Sequence, residues 1–101
     1  MQSQIQKLIN NIIADYTASG FAQWQTDQFP ETLSVKTGKK YIKISHGASV
    51  WGFVVNTDTD KKFRRGDILL PASSSSPARN HARGNVFEEY SISWKGPRYL
   101  K

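Results

Sequence analysis

The sequence contains no cysteine, which excludes disulfides, cysteine-ligated zinc and thiol chemistry. Its two histidines, His46 and His81, are far apart and have no carboxylates at ligand spacing, so neither a metal site nor a cofactor is expected. No run approaches the ~20 consecutive apolar residues that a membrane helix requires. The polar opening Met1-Gln2-Ser3-Gln4 lacks the basic, apolar, small-residue order of a signal peptide. There is no Asn-x-Ser/Thr sequon, no glycine-rich phosphate loop, and no glycine elbow around Ser73–Ser76. These absences point to a cytoplasmic protein that is not an enzyme.

Acidic residues are scarce in most of the chain. Residues 1–35 carry one base (Lys7) and three acids (Asp15, Asp27, Glu31). Residues 36–101 carry 13 bases and five acids (Asp58, Asp60, Asp67, Glu88, Glu89). The whole-chain charge of +6 is therefore concentrated in the C-terminal two thirds. A basic body of this kind suits a polyanion, with nucleic acid the leading partner.

The 101 residues fit one domain, and an apolar fraction of 38% suffices for one modest core. Ile5, Leu8, Ile9, Ile12, Ile13 and Tyr16 recur at helical spacing and predict an amphipathic helix over 4–19. Ser3 would be its N-cap and Gly20 its terminating glycine. Phe21, Trp24 and Phe29 read as the anchors of an irregular connection ending at Pro30. Alternating patterns then predict strands over 32–37, 41–45, 49–56 and 63–70, and a last one near 85–94. Turns are expected at Gly38-Lys39, at 46–48 and at Arg65-Gly66-Asp67. The fold class is α+β: the helix packs on a small, mostly antiparallel, strongly bent sheet of four to five strands. The β-rich body covers 31–96, and barrel-like closure is one form it could take.

The segment 71–85 (PASSSSPARNHARGN) exceeds a routine hairpin connection. Loops beyond ~12–15 residues in compact domains are functional or disordered. Ser76 as N-cap, Pro77 at the first turn and Gly84 after the last frame a short helix over 77–83. Arg79 and Arg83 would then share a face, with His81 near them and phosphate as their target. Other bases surround this loop. Lys39, Lys40 and Lys43 lie on one strand and its turn, Lys61, Lys62, Arg64 and Arg65 form a run, and Lys95, Arg98 and Lys101 close the chain. Tyr41, on the outward face with Lys43, is the ring best placed to stack on a base. The expected contact set is therefore Arg79, Arg83, His81, Lys61, Lys62, Arg64, Arg65, Lys43 and Tyr41.

Two other readings compete. The same basic face could dock on an acidic protein, or Asp67 could pair with His46 or His81 in a small nuclease. Nothing in the sequence brings the residues of that couple together. Arg65-Gly66-Asp67 matches an adhesion tripeptide, but its glycine and aspartate also suit a turn entering a strand.

The runs "KKYIKISHGASVWGFVVN" and "FRRGDILLPASSSSPARNHARGNVFEEYSISWKGPRYL" resemble small basic proteins encoded by tailed bacteriophages. The resemblance covers roughly residues 39–100. It implies a product made in the bacterial cytoplasm, where such proteins bind nucleic acid or inhibit a host enzyme. It carries no activity and no functional residues across.

Overall fold

The protein is described by a computed structural model over residues 1–97. Its α+β architecture has an N-terminal helix against a four-stranded antiparallel sheet. The apolar stripe forms helix α1 (Gln2–Thr17), and Ile5, Leu8, Ile12 and Tyr16 are its buried residues. Ser3 lies inside the helix instead of capping it, because the chain is already helical from Gln2. Met1 is the N-cap, and its carbonyl accepts the Ile5 N–H at 3.0 Å. Gly20, at φ +84°, supplies the left-handed residue that turns the chain away.

The expected connection after Gly20 is instead a second helix, α2 (Gln23–Thr32). Gln25 Oε1 accepts the Ala22 N–H at 3.2 Å and satisfies one of the free donors at its start. Pro30 sits in the last turn, where the Thr32 hydroxyl donates to the Phe29 carbonyl at 2.6 Å. Two of the three expected anchors hold. Tyr16 is sandwiched between Phe21 and Phe29, with ring centroids 4.3 and 3.9 Å away. Trp24 does not anchor; it is 64% exposed.

Strands β1 (Leu33–Thr37), β2 (Tyr41–His46), β3 (Ser49–Val55) and β4 (Ile68–Leu69) follow as an antiparallel meander in that spatial order. The sheet remains open and does not close into a barrel. The β1–β2 turn falls at Lys39-Lys40, one residue beyond expectation, with Gly38 N–H bonded to the Tyr41 carbonyl at 2.9 Å. The register then sets Val35 opposite Ile44 and Lys36 opposite Lys43. Between β2 and β3 the pairing jumps from Ile44–Gly52 to Ser45–Val50, so Trp51 is an extra, bulged residue. The bulge reverses the alternation locally. Trp51 therefore joins Ile42, Ile44 and Val54 under the helices, while Phe53 and Val55 face the other way. Its indole N–H donates to the Ser93 carbonyl at 2.8 Å.

Both faces of the sheet are consequently covered. The larger core joins the α1 stripe and Phe29 to Ile42, Ile44, Trp51, Val54, Ile68 and Val86. A smaller one, formed by Phe53, Val55, Phe63 and Leu69, lies on the opposite face with Tyr41 and Ala82 against it. Full burial of each large apolar side chain contributes about 1.5–3 kcal/mol.

The chain from 56 to 97 departs most from expectation. Only Ile68 and Leu69 of the predicted 63–70 strand pair as strand, because 57–67 is held in turns by its own aspartates. Gly66 (φ +91°) makes the bend, and a Cβ there would lie 2.7 Å from the Phe87 ring. The C-terminal strand shrinks to a two-residue pairing of β5 (Ile92–Ser93) with β6 (Gly96–Pro97). Gly96-Pro97 forms the second strand of that hairpin. No helix forms over 77–83. The segment lies beside β4: Arg83 N–H bonds to the Ile68 carbonyl at 2.7 Å and Ala78 N–H to that of Leu70 at 2.7 Å. With β4 otherwise unpaired on that side, its carbonyls attract the 77–84 amides that a helix would have used internally.

Candidate nucleic-acid interface

Among the described residues, the outer side of the β1–β2 hairpin and the 57–62 turn carry most of the lysines, none of which has a carboxylate partner. Lys36 and Lys43 are directly opposed across the hairpin. Like charges in that relation repel, so the placement works against stability. Tyr41, two residues from Lys43 and on the same face, has Lys40 Nζ 5.6 Å from its ring centroid. Asn56 pins the turn of the hairpin, donating its backbone N–H to the Lys40 carbonyl at 2.8 Å. Its side-chain amide donates to the Gly38 carbonyl at 2.9 Å. This brings Lys39 and Lys40 beside Lys61, and together with Thr57, Thr59, Asp60 and Arg79 they line an open cleft of about 550 Å³.

Asp60 organises this region. Its side chain is 2% exposed and binds Arg79 through both carboxylate oxygens, at 3.0 and 2.9 Å. It also accepts the backbone N–H groups of Lys62 at 2.8 Å and Phe63 at 3.0 Å. The Arg79 hydrogen bond first, and then these amides, hold its carboxyl far below the usual carboxylate range. Arg79 in turn donates to the Tyr41 hydroxyl and lies 4.9 Å from the Phe63 ring centroid. The Asp60 partnership raises the Arg79 guanidinium above its ordinary value. Lys62 Nζ closes the network on the Arg79 carbonyl at 2.6 Å.

The expected arginine contacts are therefore corrected. Arg79 is a clamp that ties the 71–85 loop to the 57–62 turn and to β2. Arg83 is 2% exposed, within the fold and not on a phosphate-facing surface. Arg64 grips Glu88 with two 3.0 Å hydrogen bonds, which also lower the Glu88 carboxyl. Arg65 faces Asp58 at 3.5 Å. His81, Lys61 and Lys62 are exposed and Lys43 is half-buried. Tyr41 is half-buried, edge-on to Phe53 at 6.0 Å, with its hydroxyl taken by Arg79. It is not a free stacking platform. Arg98 and Lys101 lie outside the described residues.

A division of labour results. Among the described residues every ion pair is made by an arginine, and no lysine has a carboxylate within ion-pair distance. Lys36 was the residue missed by sequence reading. Its signal was the alternation of β1 and β2 about a two-residue turn, which puts it across from Lys43.

Asp67, the carboxylate of the nuclease and adhesion readings, is 6% exposed. It accepts Arg64 N–H at 2.9 Å and the Asn85 side-chain amide at 3.0 Å, so it is a turn-forming group within the fold. His46 lies among aromatic rings, 4.8 Å from Phe29 and 6.0 Å from Trp94. The described residues hold no group of three His, Asp or Glu side chains able to bind a metal ion. None of their helices is long and apolar enough to cross a membrane. No family model matches the sequence, and no curated protein or solved structure is significantly similar to it.

Proposed function

We propose that the protein binds nucleic acid, without catalysis, through the lysine surface of the β1–β2 hairpin and the 57–62 turn. The observation that carries this reading is the sorting of charge. Four of the five acids of the basic body (Asp58, Asp60, Asp67 and Glu88) are spent on Arg64, Arg65 and Arg79, while Lys36, Lys39, Lys40, Lys43 and Lys61 have no carboxylate partner. Lysines with no carboxylate partner keep a counterion atmosphere that phosphates can displace, and that release drives association. The Lys36–Lys43 opposition supports the reading further, because it costs stability and gains nothing within the fold.

The test is binding of the purified protein to fluorescent single-stranded DNA, duplex DNA and RNA over a salt series. A steep fall in affinity with rising salt is expected for at least one of the three. No binding at low salt overturns the proposal. An acidic protein partner for the same lysines would then be the reading to pursue.

A further inference from the structure

The chemistry of this surface also selects the kind of nucleic acid. Resting on the reading above, we infer that the surface engages the phosphate backbone of a duplex and reads no bases. Three features converge. First, base edges are read most often by the planar fork of arginine; those of Arg64 and Arg79 are held through two nitrogens by Glu88 and Asp60, and Arg65 meets Asp58 through one at 3.5 Å. The cations left are lysines, which act as point charges toward phosphate.

Second, single-strand binders without sequence preference depend on rings that stack on bases. Among the described residues the large exposed rings are Trp24, on α2, and Phe87, over the Gly66 turn. Neither lines the lysine cleft. The one ring within the surface, Tyr41, is packed against Phe53 and bonded to Arg79.

Third, a surface that binds by charge alone favours the polymer of higher charge density. A duplex carries one charge per ~1.7 Å of axis, and each neutralised phosphate releases more counterion from it than from a single strand. Five lysine contacts give a slope of about −4.5 in log affinity against log salt on duplex, and about −3.5 on a single strand. Between 50 and 200 mM salt the duplex affinity then falls about 500-fold.

The experiment measures anisotropy of labelled 20-base-pair AT-rich and GC-rich duplexes and of an equally long oligo-dT, at salt concentrations from 50 to 200 mM. The expected result is tighter binding to both duplexes than to oligo-dT, with the two duplexes within about threefold of each other. Trp24→Ala and Phe87→Ala should bind as the parent does. Lys39→Glu combined with Lys61→Glu should lose affinity at least tenfold with an unchanged melting temperature. Preference for oligo-dT, a tenfold difference between the duplexes, or a loss on removing either ring overturns this inference but leaves nucleic-acid binding standing. Absence of binding to all three probes overturns both. A folded double-glutamate variant that binds like the parent removes the cleft from the site.

Discussion

Replacing Lys36 by glutamate should stabilise the protein while weakening its binding. Lys36 lies directly across from Lys43 on the outer face of β1, at the edge of the sheet. Converting the like-charge pair into an opposite one removes a repulsion and adds an attraction, together about 0.5–1 kcal/mol. For a domain of this size, about 1 kcal/mol moves the melting temperature by roughly 4–8 °C, so a rise of about 2–8 °C is expected. The gain is electrostatic and exposed, and so it should fade toward zero near 1 M salt, where the Debye length shrinks to about 3 Å. In the binding assay the same change removes one phosphate contact, lowering the salt slope by about 0.9. It also sets a carboxylate against the backbone. Thermal melts at low and high salt, paired with duplex titrations, separate the alternatives. A lower melting temperature would refute the cross-strand repulsion. Higher stability with unchanged binding would make Lys36 a guard on an exposed strand edge and nothing more.

The Arg79 clamp and the carboxylates of the basic body give two further tests. Arg79→Ala should leave the helices and β1–β3 intact and loosen the 71–85 loop, seen as faster proteolysis and amide exchange there and in 57–63. Protection equal to the parent's would refute the clamp. For pH, Asp60 and Glu88 have folded-state values below their ordinary 3.8 and 4.5. Groups lowered by folding stabilise the native state above the unfolded values, and that contribution is lost as pH falls through the folded ones. Stability should therefore be level above about pH 5 and decline below 4.5, with the larger share from enclosed Asp60 and little from the exposed Arg64–Glu88 pair. Urea midpoints of the parent and Asp60→Asn between pH 2 and 6 check this. A parent no more acid-sensitive than the variant would refute it.

The sequence by itself determined the parts that local periodicity encodes. The α1 stripe, the three long strands and the Gly20 and Gly66 turns follow from 3.6- and 2-residue repeats and from residues that tolerate positive φ. The basic character of the body was equally legible, being a property of composition. Helix α2 was not. Its polar sequence and Pro30 give no stripe, and it is held by the stacking of Phe21 and Phe29 on Tyr16 from another helix. The 77–83 segment carried good local helix signals, yet its amides found the carbonyls of β4, a partner no local pattern can show.

Charge pairing belonged wholly to the tertiary structure. Arg79 meets an aspartate 19 positions away and Arg64 a glutamate 24 positions away, so local sequence could not tell a free arginine from a neutralised one. Burial of Arg83 has the same origin. The bulge at Trp51 decided which side of the sheet that tryptophan fills, since one extra residue inverts the alternation there. Composition fixed how many cations the chain carries. Only the folded register and the long-range ion pairs decided that, among the described residues, lysines and not the surface arginines are left without a carboxylate partner.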